Sequence, residues 1–183
     1  MLFRILLLLC SGIIVEASNN SKFVPPAGPP DFIYHDFFDC GDKKPTPINF
    51  TVIPTWFNKT HQVLEGNMHT PVAIGDNILV KISLYTNVHN KWLHVTNVSG
   101  KTCQMLRNYM GPLREEILSP VGLPADTCPI PRGTYHAKNV HLDMKNSRLP
   151  AFPYGTFKLF LAMYDIFTDV LQMCLGIHFE NKS

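Results

Sequence analysis

The sequence has few charged residues and no apolar run as long as a membrane-spanning helix requires, because even the run in its first 17 positions is too short. Charged residues make up 16% of the 183 residues, against about 25% in an average domain. Sixteen lysines and arginines face 14 aspartates and glutamates, which gives a net charge of +2. So small a charge gives no electrostatic reason to expect a nucleic acid or an anionic membrane as a partner.

Sequence motifs for catalysis and metal binding are also missing. The chain has no G-x-S-x-G, no glycine-rich phosphate loop, no H-E-x-x-H and no C-x-x-C. Glu115 and Glu116 are adjacent, so on a helix they diverge rather than pair as acid and base. The eight histidines are scattered, and we interpret them as surface residues, with a pH-sensing role as the alternative. We therefore predict a protein that is not an enzyme and binds no metal or cofactor.

The first 17 residues are typical of a secretory signal peptide. Arg4 precedes an apolar run, and Ala17, with Val15 two positions before it, gives a small-residue cleavage site. Cys10 would leave with this segment. An even number of cysteines then remains in an oxidising compartment, which predicts two disulfides among Cys40, Cys103, Cys128 and Cys174. Their spacing does not choose among the pairings.

Sequons for N-glycosylation fit an exported chain. The sequence has five N-x-S/T sequons, at Asn19, Asn49, Asn58, Asn97 and Asn181. We predict glycans on Asn49, Asn58 and Asn97.

Alternating apolar residues predict a mostly β domain with antiparallel strands. The predicted strands cover residues 48–53, 78–85, 92–98, 134–144, 156–166 and 170–180. Residues 24–30 hold four prolines and indicate an extended leader. We therefore expect a signal peptide at 1–17, a proline-rich leader at 18–38 and one domain at 39–183.

One stretch has the periodicity of a helix. Apolar residues recur at three- and four-residue steps from Cys103 to Leu118, and Gly111-Pro112 interrupts them. Two short helical pieces inserted into an antiparallel β-sandwich are therefore expected.

The apolar residues of this domain allow two interpretations. They could fill a solid sandwich core, or they could line a lipid cavity between the sheets, with methionines as adaptable surface. The candidate cavity residues are Met105, Leu106, Met110, Phe157, Leu159, Leu161, Met163, Leu171 and Met173. Periodicity alone does not separate these interpretations.

Three C-terminal motifs resemble the ganglioside activator branch of the ML lipid-recognition family. They read Cys-Pro-Ile-Pro-Arg-Gly-Thr-Tyr at 128–135, Leu-Pro-Ala-Phe-Pro-Tyr-Gly-Thr-Phe-Lys-Leu at 149–159 and Cys-Leu-Gly-Ile at 174–177. The similarity covers roughly Asp39 to Glu180. The chain is also similar to short secreted arthropod relatives of this branch, some of which are associated with chemosensory tissue.

The resemblance implies an immunoglobulin-like β-sandwich opened into a cup, with lipid chains held between the sheets. It implies disulfides Cys40–Cys174 and Cys103–Cys128. Ganglioside activators carry further disulfides between the positions of Cys103 and Cys128, and this chain lacks them. The resemblance therefore leaves the glycolipid and any partner hydrolase unspecified.

Two aromatic positions also match that family. Trp92 matches an aromatic residue in a strand near the cavity, and ordinary core packing is the alternative for it. Phe152 matches an exposed aromatic on a rim loop that touches the membrane while lipid is extracted. The alternative for Phe152 is a loop anchor packed on the core.

We therefore expect a secreted, non-enzymatic protein that binds and transfers a lipid or glycolipid, with the lysosome as a second compartment. Its partners would be the lipid, a transiently contacted membrane surface, and a lysosomal glycosidase or a chemosensory receptor. The alternatives are a carrier of an apolar chemosensory or pheromone-type ligand and a secreted adhesion module with a solid core.

Overall fold

The computed structural model describes residues 26–40, 45–59, 61–149 and 151–182. The expected signal peptide and the first part of the expected leader lie outside the described residues. The strands are β1 (Ala27–Gly28), β2 (Phe32–Asp39), β3 (Asn49–Trp56), β4 (Gln62–Thr70), β5 (Ile78–Val88), β6 (Lys91–Lys101), β7 (Gly133–Val140), β8 (Phe152–Pro153), β9 (Gly155–Asp165) and β10 (Leu171–Asn181).

Two antiparallel sheets form the sandwich, so the predicted all-β fold class is confirmed. One sheet has five strands in the order β2-β10-β9-β5-β6, and the other has three in the order β3-β4-β7. β1 and β8 pair as a separate two-stranded ribbon. Because three strands face five, part of the larger sheet extends beyond the smaller one.

A helical segment lies between the edge strands β6 and β7. It consists of α1 (Thr102–Met105), a π-helical turn (Leu106–Met110), α2 (Leu113–Leu118) and a 3-10 turn (Ser119–Val121). Gly111 separates the two pieces with φ of 53°, so the predicted interruption is confirmed. α1 contacts β5 and β6, the 3-10 turn contacts β7, and the segment therefore spans the side of the sandwich between the two sheets.

Two disulfides lie at one end of the sandwich, which we call the disulfide end. Cys40 bonds to Cys174 and Cys103 bonds to Cys128, so the pairing implied by the family resemblance is the one present. The first bond ties the residue after β2 to β10, and the second closes the helical segment. The expectation of disulfides in an oxidising compartment is consistent with this arrangement.

The core consists of two clusters at opposite ends. The cluster at the disulfide end contains Ile48, Ile74, Ile78, Met173 and Leu175. The cluster at the other end, which we call the aromatic end, contains Leu84, Phe157 and Phe179, with Phe32, Tyr34, Phe152, Leu159 and Ile177 packed against it. Each end of the sandwich is therefore packed with apolar side chains.

The leader expected at residues 18–38 needs correction, because β1 and β2 lie within it. β2 pairs with β10 along its length and is an edge strand of the five-stranded sheet. A register shift opposite His178 and Phe179 puts Tyr34 and Phe37 on the same inner side although they are three positions apart. Because of this irregular spacing, β2 lacks the alternation of apolar and polar residues that predicts a strand.

Two other sequence expectations also change. β4 was not predicted, because Gly66 lies at its centre and polar residues alternate beside it. The strand expected at 134–144 ends at Val140, and Met144–Asn146 form a 3-10 turn. The remaining predicted strands are present, with ends that differ by a few residues.

Candidate functional site

The inner side of β9 forms the centre of the candidate site. β9 is the middle strand of the five-stranded sheet, and it directs Phe157, Leu159, Leu161 and Met163 toward the two core clusters. Phe157 is fully buried, but Leu159, Leu161 and Met163 are only half-buried. A solid core buries the inward side chains of a central strand, so the middle of this sandwich is packed less completely than its ends.

Neighbouring strands extend this partly accessible surface. Ile82 of β5 pairs with Leu161, Ile177 of β10 pairs with Leu159, and Val98 of β6 pairs with Ile82. All of these side chains are half-buried. We call the set the apolar floor, and its members are Ile82, Val98, Leu159, Leu161, Met163 and Ile177.

The apolar floor is bordered by β6 and the helical segment. β6 is so little covered that eight of its eleven residues are exposed. At the disulfide end, α1 approaches β6 closely, since a Cβ atom on Gly100 would lie 2.9 Å from Met105 Sδ. Met105 is buried, and Leu106 and Met110 are half-buried. The predicted residues of the helical segment therefore lie beside the open edge of the floor.

The structure brings most of the predicted cavity residues together on or beside the apolar floor. Leu159, Leu161 and Met163 belong to it, while Phe157 and Met173 lie in the end clusters that border it.

Trp92 does not lie between the sheets, which corrects the expected cavity position. A register shift at Leu84 and Tyr85 makes Val95 an extra residue in β6. Because one extra residue reverses the side on which the following side chains point, Trp92 lies on the outer face of the five-stranded sheet. Lys158 Nζ lies 4.3 Å from the centre of the Trp92 ring, and the ring centres of Trp92 and His178 are 5.7 Å apart.

Leu171, which is predicted to line the cavity, also lies outside it. The register shifts between Leu171 and Met173, so that Leu171 pairs with Tyr164. The Tyr164 ring lies on the outer face, where Lys81 Nζ stands 4.3 Å from its centre. The alternation that joined Leu171 to Met173 in sequence is therefore broken by a bulge.

Phe152 is a loop anchor packed on the core, which is the alternative to a membrane-contacting rim residue. It is half-buried, and its ring centre lies 4.9 Å from Phe157 and 5.0 Å from Phe32. These contacts hold it in the aromatic-end cluster.

Two turns present exposed aromatic side chains that the sequence search missed. Phe57, at the turn between β3 and β4, is 74% exposed, and Phe167, at the turn between β9 and β10, is 82% exposed. Asp165 holds the second turn, because its Oδ1 accepts hydrogen bonds from the N–H groups of Phe167 and Thr168. These bonds, led by the one from Thr168, lower the pKa of Asp165. An apolar aromatic residue within a polar turn was the available sequence signal.

Polar groups occur at the aromatic end, near Tyr34 of β2. Burial raises the pKa of the Tyr34 hydroxyl above its usual range, and the negative charge of Glu116 in α2 adds to this shift. The Glu116 carboxylate accepts hydrogen bonds from Asp143 N at 2.7 Å and from Asn146 Nδ2 at 2.6 Å. A neutral hydroxyl and a fixed carboxylate therefore stand close enough to interact.

The outer face of the five-stranded sheet contains His178, whose buried Nε2 has no hydrogen-bond partner among the described residues. The imidazole lies between the rings of Trp92 and His35. Burial, followed by electrostatic interactions with His35 and Lys158, lowers the pKa of His178, and the interaction with Asp36 opposes the shift. The surroundings of this imidazole therefore favour its neutral form.

The predicted glycosylation sites Asn49, Asn58 and Asn97 are all exposed. Within the part of the chain that the structure describes, no group of three or more His, Cys, Asp or Glu side chains could hold a metal ion. The described helices are also too short or too polar to cross a membrane.

Part of the chain is similar to a known protein family. A family model described as a protein of unknown function (DUF1091) matches residues 78–159. That segment runs from β5 through β6, the helical segment and β7 into β9, so it contains the open border of the apolar floor. No curated protein matches the chain.

Proposed function

We propose that this protein is a secreted lipid-binding and lipid-transfer protein that holds acyl chains on the apolar floor between its two sheets. The observation that carries the proposal is the incomplete burial of Leu159, Leu161 and Met163 on the central strand. The two ends of the sandwich are well packed, so an acyl chain would bind between them, on the apolar floor. An acyl chain seated there would complete the burial.

The energetics favour a carrier. Each methylene group moved from water onto such a surface contributes about 0.8 kcal/mol, so an acyl chain is held firmly against release into water. The same chain gains almost nothing when it leaves a bilayer, because it passes from one apolar environment to another. Uptake from and delivery to membranes are therefore close to balanced.

The finer proposal is a ganglioside-activator-like member of the ML family. The disulfide pairing that this resemblance implies is the one present, and the helical segment closed by Cys103–Cys128 borders the floor. Tyr34 and Glu116 supply hydrogen-bonding groups for the polar part of a lipid. The lipid would then be passed to a lysosomal glycosidase or a chemosensory receptor.

Membrane contact is assigned to the turn between β9 and β10. Of the two turns with exposed aromatic residues, the one with Phe57 is followed directly by the sequon at Asn58, and a glycan there would keep that turn away from lipid. The turn with Phe167 contains no sequon and is held by hydrogen bonds to Asp165. Phe167 thus replaces Phe152 as the residue proposed to enter the membrane interface.

The test is mass spectrometry of an organic extract from the protein, secreted by a eukaryotic host and purified without detergent. Stoichiometric phospholipid, sphingolipid or fatty acid is expected. Leu161→Trp, which fills the floor with an apolar ring, should lose the lipid and stay folded. Ala162→Trp, on the outer face of the same strand, should keep it.

A lipid-free extract, together with no uptake of a fluorescent lipid by the wild-type protein, would contradict the proposal and favour the adhesion module. Uptake of a small apolar odorant in place of lipid would favour the chemosensory carrier. Equal lipid retention by wild type and by folded Leu161→Trp would show that the floor is not the site.

A further inference from the structure

The three-stranded sheet leaves space above the apolar floor at Gly66, in the middle of β4. Gly66 pairs with Ala137 of β7. It lies on the inner side of its sheet, because Met68, two positions further along β4, packs against the disulfide-end cluster. A Cβ atom on Gly66 would have no atom of the five-stranded sheet within 4 Å. Gly66 and the small Ala137 therefore leave room for an acyl chain at this level.

Tyr34 of β2 presents a hydroxyl group to the interior at the aromatic end. Its Cα pairs with that of the buried Phe179, and its ring packs against the aromatic-end cluster. Its main-chain N–H and C=O are bonded to the Gln62 side chain at 2.8 and 2.9 Å, but within the described residues nothing is hydrogen-bonded to the hydroxyl. In the same part of the chain, His178 Nε2 is the one buried side-chain polar atom without a partner. The Tyr34 oxygen is therefore unpaired and still reachable by a small polar group.

Glu116 lies on the inward side of α2. Residues three and four apart share one face of a helix, and Leu113, three positions before Glu116, is fully buried. Glu116 and Ile117 are half-buried, whereas the preceding Glu115 is exposed. The two adjacent glutamates therefore differ, and only the second can contribute to the interior.

The Glu116 carboxylate keeps capacity for a further hydrogen bond. Asp143 N donates to one of its oxygens at 2.7 Å and Asn146 Nδ2 to the other at 2.6 Å, while a carboxylate can accept about four bonds. The negative charge of Glu116 also contributes, after burial, to raising the pKa of Tyr34. A protonated hydroxyl and a fixed carboxylate with free lone pairs thus act on the same interior region.

The chemistry of this pair selects one kind of polar group. A fixed negative charge repels a carboxylate or a phosphate, and an ammonium group would leave the Tyr34 proton without an acceptor. An uncharged hydroxyl can donate to Glu116 and accept from Tyr34 at the same time. Of the common lipid end groups, the free hydroxyl therefore satisfies both side chains.

We infer that the guest is an uncharged lipid with a free hydroxyl group, and that Tyr34 and Glu116 bind this hydroxyl inside the aromatic end of the sandwich. The hydrocarbon chain would extend from there over the apolar floor, below Gly66. The inference rests on the proposed lipid-binding function and adds the class of lipid to it.

The test uses hexadecanol and hexadecanoate, which share one hydrocarbon chain and differ in their polar end. Each is titrated against the protein, freed of its own lipid and loaded with the fluorescent apolar probe N-phenyl-1-naphthylamine. At neutral pH the wild type should bind hexadecanol at least about tenfold more tightly than hexadecanoate. An apolar site already disfavours a carboxylate, so the variants decide the cause.

Glu116→Gln removes the charge and keeps the shape, so it should lower the preference for the alcohol by about tenfold. The matched control Glu115→Gln removes the neighbouring, exposed charge and should keep the wild-type preference. Tyr34→Phe should weaken hexadecanol binding by about fivefold and change hexadecanoate binding little. Its thermal stability should equal that of wild type, because the lost hydroxyl has no partner in the protein.

Two outcomes would overturn this inference while leaving the proposed function in place. One is the same alcohol preference in wild type, Glu116→Gln and Tyr34→Phe, and the other is a natural extract that contains only fatty acid. A wild-type protein that binds neither the probe nor the two ligands would contradict the proposed function itself, and this inference with it.

Discussion

β10 and β6 have the same length and belong to the same sheet, yet their surroundings are opposite. Every residue of β10 is buried or half-buried, whereas eight of the eleven residues of β6 are exposed. β10 has a strand on each side and contributes to both core clusters. β6 is an edge strand beyond the reach of the three-stranded sheet. Coverage by the second sheet, more than the composition of the strand, separates the part that stabilises the fold from the open strand that borders the apolar floor.

The largest expected effect is the loss of stability when the disulfide that ties the end of β2 to β10 is removed. Replacing Cys40 and Cys174 together by serine removes a crosslink across 134 residues, for which loop-closure entropy gives about 5 kcal/mol. Replacing Cys103 and Cys128 removes one across 25 residues, worth about 3 kcal/mol. Chemical denaturation of each double variant should reproduce this order. A larger loss at Cys103–Cys128 would mean that the helical segment stabilises the sandwich more than the link between β2 and β10.

A second prediction compares single apolar residues of the two strands. Phe179 of β10 is 3% exposed and meets the rings of Phe32 and Phe157 at 4.6 and 5.6 Å. Phe179→Ala should cost about 3–5 kcal/mol, whereas Leu93→Ala on β6 should cost less than about 1 kcal/mol. Denaturant unfolding of both variants measures the difference. Similar losses would show that the edge of the sheet is covered in solution.

The same two strands show how far sequence reasoning extends. Alternation from Met173 to Phe179 predicted the inner face of β10, because no register shift on the β9 side interrupts it there. In β6 the extra residue Val95 reverses the face of Trp92, and in β10 the shift before Met173 does the same to Leu171. The positions of these two strands could therefore be predicted, but a bulge depends on pairing with the neighbouring strand and leaves no mark in the periodicity.

The candidate site was predictable to a similar extent. The central residues Leu159, Leu161 and Met163 follow from alternation alone. Their incomplete burial could not be predicted, because it depends on three strands facing five. Two strands could not be predicted from alternation, because β4 has Gly66 at its centre and β2 has irregularly spaced apolar residues. The number of strands in each sheet could therefore not be predicted either.

The turns beside the two strands lead to a third prediction. Phe167, before β10, is 82% exposed, and Val88, before β6, is 40% exposed. Burying one phenylalanine ring contributes about 1.5–3 kcal/mol, so Phe167→Ala should weaken binding to phosphatidylcholine vesicles by about tenfold or more. Val88→Ala should bind as wild type in the same sedimentation assay. Equal binding by both variants would place the membrane contact elsewhere on the protein.

The smallest expected effect concerns pH and the outer face of the five-stranded sheet, where the ring of His178 on β10 contacts the ring of Trp92 on β6. The pKa of His178 is lowered in the folded protein by burial and by His35 and Lys158, against the opposing charge of Asp36. As pH falls through the usual histidine pKa of about 6.5, the unfolded chain binds a proton before the folded one does, so stability declines toward the lower folded pKa. His178→Phe should therefore lose less thermal stability than wild type between neutral and mildly acidic pH. The control His94→Phe, at an exposed position on β6, should keep the wild-type difference, and equal pH dependence in all three proteins would show that another group is responsible.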